Sequence, residues 1–115
     1  MRSLSIQVQP NRSAGIDMTE VLAAFQAIAD TTELVKHHAF DNGDDPGPYF
    51  NFTFGTTDAK RLWQVVRERF YSSGELSNHM RQSSMAMCSS EAGWDDYLLL
   101  HHFDPAVELG DAHAL

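Results

Sequence analysis

Between Tyr49 and Phe54, the residues Tyr49, Asn51 and Thr53 alternate with Phe50, Phe52 and Phe54. This is the period-of-two pattern of a strand with one strongly apolar face. Gly55-Thr56-Thr57 interrupts it, and the period then becomes helical. Ala59, Leu62, Trp63, Val66 and Phe70 fall on one side, while Lys60, Arg61, Gln64, Arg67 and Glu68 fall on the other. A strand that feeds a helix through three residues is half of a β-α-β unit. The aromatic content of Tyr49–Ser73 predicts that this half forms the centre of the core.

Upstream, Leu4, Ile6 and Val8 alternate with Ser5, Gln7 and Gln9, a first strand that Pro10 stops. Asn11–Gly15 reads as a loop. Asp17 and Glu20 stand at N-cap and N3 spacing, and Ile16 and Val21 occupy hydrophobic-staple positions. Met18, Val21, Leu22, Phe25, Ile28 and Ala29 then mark one face of a helix that fades near Thr32. Leu34–Phe40 reads as a second strand. Asp41–Pro48, rich in Gly, Pro and Asp, reads as an exposed turn or hairpin loop.

Downstream, the second helix is expected to end near Ser72–Gly74, with Gly74 as a left-handed C-cap. Glu75–Ser90 is ambiguous. Leu76 and Met80 suit a further helical turn, and Met85, Met87 and Ser89 suit one side of a short strand. Ala92-Gly93 suits a turn and Trp94–Phe103 a last strand that Pro105 ends. The order predicts an α+β fold of the ferredoxin-like two-layer sandwich type, β-α-β-β-α-β with room for one extra strand. Its antiparallel-rich sheet would carry two helices on one face. LVKHHAFD (Leu34–Asp41) and LLLHHFD (Leu98–Asp104) echo each other. Either the two segments occupy equivalent strands of a duplicated unit, or the match is coincidence.

With 115 residues, the chain holds one core. The expected organisation is a single α+β domain over residues 1–104 and an acidic C-terminal tail over 105–115, frayed or loosely docked. Apolar runs are too short to span a bilayer. MRSLSIQVQP lacks the continuous apolar stretch of a secretory signal. With Cys88 as the lone cysteine, these features point to a reducing cytoplasm.

The net charge is −8 and it is unevenly spread. Residues through Ser73 carry seven bases and nine acids, whereas residues from Gly74 onward carry one arginine and seven acids. A field of that sign disfavours nucleic acid and anionic membranes and attracts a basic protein. It also serves simple solubility. The basic face of the second helix (Lys60, Arg61, Arg67, Arg69) reads as a solvated face, too short and too poor in exposed aromatics for nucleic acid.

Candidate chemistry is sparse. His37-His38 and His101-His102, with Asp41, Asp44, Asp45 and Asp104 nearby, are metal-ligand types. Adjacent residues on a strand point to opposite faces, and the second and last strands belong on opposite edges. The expectation is therefore no metal site, with one histidine of each pair in solvent and the other packed; a zinc or iron site is the alternative. Cys88 reads as a small buried hydrophobe. No G-x-S-x-G elbow, G-x-G-x-x-G run or Walker lysine is present, so neither catalytic residues nor a cofactor are assigned.

Glu91, Trp94, Asp95, Asp96 and Tyr97 form an acidic-aromatic segment. It suits a partner-binding surface better than a catalytic carboxylate pair, because no His or Lys lies close in sequence to complete a set. A solvated turn before a strand is the plain alternative. The functional expectation is a small acidic interaction protein of the immunity or inhibitor type, covering the basic active-site surface of a toxin or other enzyme. Two alternatives stand beside it. One is a small metal-dependent or ligand-binding enzyme using His37, His38, His101, His102 and nearby carboxylates. The other is a homodimeric α+β domain with a ligand cavity between subunits.

Overall fold

A computed structural model describes residues 1–90 and 93–115, with Asp95 described by its backbone alone. Among the described residues, five strands form one antiparallel sheet: β1 (Arg2–Val8), β2 (His37–Asp44), β3 (Pro48–Thr56), β4 (Ser84–Ser90) and β5 (Gly93–His101). The helices are α1 (Met18–Thr31), α2 (Ala59–Phe70) and α3 (Glu75–Ser83). The strand order is β2-β3-β1-β4-β5. Because β3 pairs with both β1 and β2, α1 connects two strands that run parallel with β3 between them. In the same way α2 and α3 connect β3 to β4 across β1. The result is a two-layer α+β arrangement with three helices, one more than the sequence pattern predicts.

The alternation along each strand sorts side chains between the layers. Leu4, Ile6, Val8, Phe52, Phe54, Ala86 and Cys88 are buried, and they pack with Val21, Phe25 and Ile28 of α1 and Leu62, Trp63, Val66 and Phe70 of α2. At the centre the Phe25 ring is stacked against Phe52 at 4.0 Å and against Phe70 at 4.1 Å. Phe40 meets Phe52 and Phe54 edge-on at 5.1 and 5.8 Å. The Asp17 carboxylate accepts from the N–H groups of Thr19 and Glu20, capping α1 as its spacing predicts. Asp58 caps α2 through Arg61 N–H.

Several boundaries differ from the sequence reading. Leu34 and Val35 pack on the core before β2 begins, and β2 continues through Asp41–Asp44, which composition marks as loop. An edge strand needs no buried face, so polar residues are tolerated wherever the backbone can pair, here with Pro48–Asn51. Only Asp45–Gly47 remain as the hairpin tip, closed by Asp45 N–H to Gly47 O at 3.0 Å. The phenol end of Tyr49 lies over Gly43, in space that any side chain there would occupy.

α2 ends earlier than expected, at Phe70, where Tyr71 N–H bonds Arg67 O. Gly74 does not terminate that helix; it is the N-cap of α3, with φ +98° and ψ 176°. The polar stretch after it is largely buried, because its hydroxyls find partners. Ser83 and Ser84 donate back to His79 O and Met80 O, Tyr71 and Ser84 share a hydrogen bond of 2.7 Å, and Ser89 accepts from Ser3 N–H. Met85 and Met87 do share one side of β4, the side away from the helices.

The segment after β5 is docked rather than frayed. Gly110 N–H donates to Leu99 O at 2.7 Å, Leu98 fills the space beside Gly110, and Ala112 and Leu115 pack on the core. The echoing segments do not occupy equivalent strands. His37 and His38 open β2 at one edge of the sheet, while His101 closes β5 at the other.

The ring stack predicts that Phe25→Ala destabilises by about 3–5 kcal/mol in chemical denaturation, since three elements lose packing together. Gly74→Ala should cost about 1–3 kcal/mol with no loss of contacts, because that backbone region is essentially restricted to glycine. A Gly74→Ala variant as stable as the parent would contradict the α3 N-cap conformation.

Candidate interaction surface on the last strand

Edge strands leave one row of backbone groups for a partner to use. Here the two edges differ. β2 presents exposed Asp41 and Asp44 along its length. On β5 the C-terminal segment covers Leu99, and toward Gly93 the strand carries exposed Trp94 and Tyr97, 45% and 53% accessible. These are the largest exposed aromatic side chains among the described residues.

Of the five predicted residues Glu91, Trp94, Asp95, Asp96 and Tyr97, Glu91 lies outside the described residues, as does Ala92 of the expected turn, and Asp95 is placed on β5 by its backbone. The remaining three residues divide between two grooves. Trp94 lines one of about 350 Å3 on the uncovered sheet face, with Ser5, Asn51, Thr53 and Met87. Asp96 and Tyr97 line another of about 260 Å3, beside Arg2, Cys88 and Leu115. A register shift between Cys88 and Ser90 accompanies this division. The aromatics therefore flank the edge, one on each side of it.

The uncovered face is polar and internally bonded. Ser5 and Thr53 hydroxyls lie 3.1 Å apart, Gln7 donates to Asn51 at 3.0 Å, and Asn51 donates to Asp41 at 2.9 Å. Methionine and leucine (Met85, Met87, Leu99) make its β4–β5 side more apolar. Cys88 is buried on the opposite face, and that burial pushes its thiol pKa up, partly offset by the Arg2 charge.

The histidine pairs sit on opposite edges and do not converge. Among the described residues, no group of three or more His, Cys, Asp or Glu side chains is arranged to hold a metal ion. The expected one-in, one-out division fails for His37 and His38, which are both exposed because β2 is an edge; the His38 ring tilts against Phe40 at 4.9 Å. His101 is half-buried, 4.4 Å from the Tyr71 ring, with Nε2 3.1 Å from Arg81 O. His102 bonds Asp104 N–H and lies against Phe103.

One constellation has no signal in the sequence. Ser13 Oγ lies 2.6 Å from His79 Nδ1, and His79 Nε2 lies 3.8 Å from Glu75 Oε1. Hydroxyl, imidazole and carboxylate stand in the order of a nucleophilic triad, but the surroundings do not suit one. Ser13 is 3% accessible, whereas the Glu75 side chain is 92% accessible and beyond hydrogen-bond reach of His79. The small adjacent groove is lined by His79 and Glu75 and not by Ser13. The contact ties the loop after β1 to α3.

Comparisons with protein-family models, curated proteins and solved structures find no match for this chain. Among the described residues, no helix is long and apolar enough to cross a membrane.

His101 supplies a pH prediction. Burial lowers its pKa, the neighbouring His102 and Arg81 charges act in the same direction, and the hydrogen bond to Arg81 O opposes them. The unfolded chain therefore binds the proton more readily than the folded one. Stability is full above the ordinary imidazole value of about 6.5 and is lost as pH falls below it toward the folded-state value. The melting temperature of the parent should drop over that interval, and His101→Gln should flatten the drop. Parallel curves would exclude His101 as the source.

Proposed function

We propose that this protein is a small acidic interaction module that docks a basic protein partner edge-on along β5, with Trp94 and Tyr97 gripping the partner from the two sides of the edge. The supporting observation is the exposure of both aromatics on the open end of an edge strand, in the half of the chain that carries most of the net charge. Backbone pairing along such an edge supplies affinity, and side chains on alternate faces supply specificity. Asp95 and Asp96 add the charge that draws a basic surface in. An immunity- or inhibitor-type role, in which the partner's basic active-site surface is covered, is the form of this reading that the charge favours.

The architecture that presents this edge is inferred to be a ferredoxin-like sandwich with β5 added beyond β4. Support comes from the order β2-β3-β1-β4 and the two crossovers, each spanning one intervening strand. A second reading, self-association through the uncovered face, is favoured by Met85, Met87 and Leu99 beside Trp94. It predicts a dimer in light scattering, lost in Met87→Glu. The enzyme reading gains no support from histidine pairs held on opposite edges.

A pull-down with mass spectrometry at low and moderate salt identifies the partner, and binding kinetics then test the surface. Replacing Asp95 and Asp96 with Asn should slow association and flatten its salt dependence, since charges are screened over about 8–10 Å at ordinary ionic strength. Trp94→Ala should mainly speed dissociation, by about 2 kcal/mol or more. A partner indifferent to salt and to both changes would refute the proposal.

A further inference from the structure

At the end of the sheet away from Gly93, a separate groove opens between the loop after β1 and the tip of the β2–β3 hairpin. Its volume, about 370 Å3, falls within the range of small-molecule sites. Gln7, Gln9, Asn11 and Arg12 line it from one side, and Asp45, two prolines and Tyr49 from the other. The β5 surface contributes nothing to it.

Gln7 and Gln9, which face this groove, have a fixed orientation, set by a chain that continues beyond it through Asn51 to Asp41. Arg12 can only donate and the Asp41 carboxylate can only accept. Between them the chain of hydrogen bonds runs one way: Arg12 Nε to Gln9 Oε1 at 2.6 Å, Gln9 Nε2 to Gln7 Oε1 at 2.8 Å, Gln7 Nε2 to Asn51 Oδ1 at 3.0 Å, and Asn51 Nδ2 to Asp41 Oδ1 at 2.9 Å. Each amide oxygen therefore faces the arginine end and each nitrogen the carboxylate end. Every amide keeps one N–H and one lone pair to spare. The guanidinium is held over the Phe103 ring, 3.7 Å from its centroid, which leaves its terminal nitrogens available.

A second observation is independent of that chain. The side-chain amide of Asn11, the carboxylate of Asp45 and the hydroxyl of Tyr49 make no hydrogen bond among the described residues, yet all three line the same groove. The groove thus offers oriented donors and acceptors, one cation and one carboxylate that cancel, and a phenol ring flanked by prolines.

We propose that this groove binds a short saccharide. A sugar hydroxyl both donates and accepts, so it pairs equally with amide, carboxylate and guanidinium. The apolar C–H face of a pyranose ring suits the Tyr49 and proline surface, which supplies area without requiring charge. A phosphorylated or otherwise anionic ligand fits less well, because Asp45 and the chain's net charge of −8 oppose it. Oriented amides are already ordered before binding, which reduces the cost of holding a flexible polar ligand.

The test is a titration of the full chain, followed by proton–nitrogen correlation spectra, with glucose, N-acetylglucosamine, maltose and cellobiose. At least one sugar should shift amides of residues 7–12 and 45–49 saturably, with a Kd on the order of 1 mM. Asn11→Ala and Asp45→Asn alter exposed side chains, so their spectra should match the parent elsewhere while affinity falls by about fivefold or more. Unchanged affinity in both variants would overturn the proposal. So would no saturable shift with any of the four sugars, or saturable binding of inorganic phosphate or glycine in the groove in place of sugar. Loss of β5 partner binding in Trp94→Ala would leave this result untouched, since Trp94 does not line this groove and makes no bond in the amide chain.

Discussion

A single aromatic ring joins the three parts of this fold. Phe25 comes from α1, Phe52 from β3 and Phe70 from the last turn of α2, and the three rings lie nearly parallel at about van der Waals spacing. Rings in this arrangement contribute beyond the area they bury, and they fix orientation as well as distance. Both helices are thereby locked to one face of the sheet. Everything on the other face, and everything at the two edges, is left for contact with something else.

That division explains why the sheet has two unlike surfaces. On the helix side the three central strands bury Leu4, Ile6, Val8, Phe52, Phe54, Ala86 and Cys88. On the far side the rows read Gln7–Asn51–Asp41 and Ser5–Thr53, closed by hydrogen bonds between neighbouring strands. Cross-strand polar pairs of this kind hold register without demanding burial. The sheet can therefore stay uncovered without presenting a large apolar patch. The exposed apolar surface is displaced toward β5, and the proposed partner site follows from that displacement.

Most of the fold is legible where one residue type has one physical use. Period-two aromatics at Phe50–Phe54, helical spacing at Leu62–Phe70 and the Asp17 cap all specify local structure with little dependence on what lies nearby. The reading fails where tertiary context decides. Asp41–Asp44 look like loop because composition reports burial, and an edge strand needs pairing alone. Gly74 suits either helix terminus, since a positive φ is useful at both. Ser83, Ser84 and Ser89 look exposed because serine is usually exposed, and only the positions of Met80 O, Tyr71 and Ser3 make their burial favourable. The acidic-aromatic segment was visible as composition, but its division between two grooves depends on a register shift that no local pattern encodes. The Gln9–Gln7–Asn51–Asp41 chain was invisible for the same reason, as it assembles residues from three strands and a loop.

The two edges of the sheet illustrate how charge decides which surface stays solitary. An uncovered edge invites pairing with any extended chain, including another copy. Along β2, Asp41 and Asp44 set carboxylates beside that edge, so a second acidic chain approaching it meets repulsion. Along β5 the docked C-terminal segment occupies Leu99, and the part left open carries Asp95 and Asp96 in sequence with the two aromatics. Two copies meeting there would bring like charges, Asp96 of each among them, into each other's field, whereas a basic segment would neutralise them. Under the proposed edge-on docking, the same charges that discourage self-pairing would select for a partner of opposite sign, and the aromatics would act only on a chain already admitted.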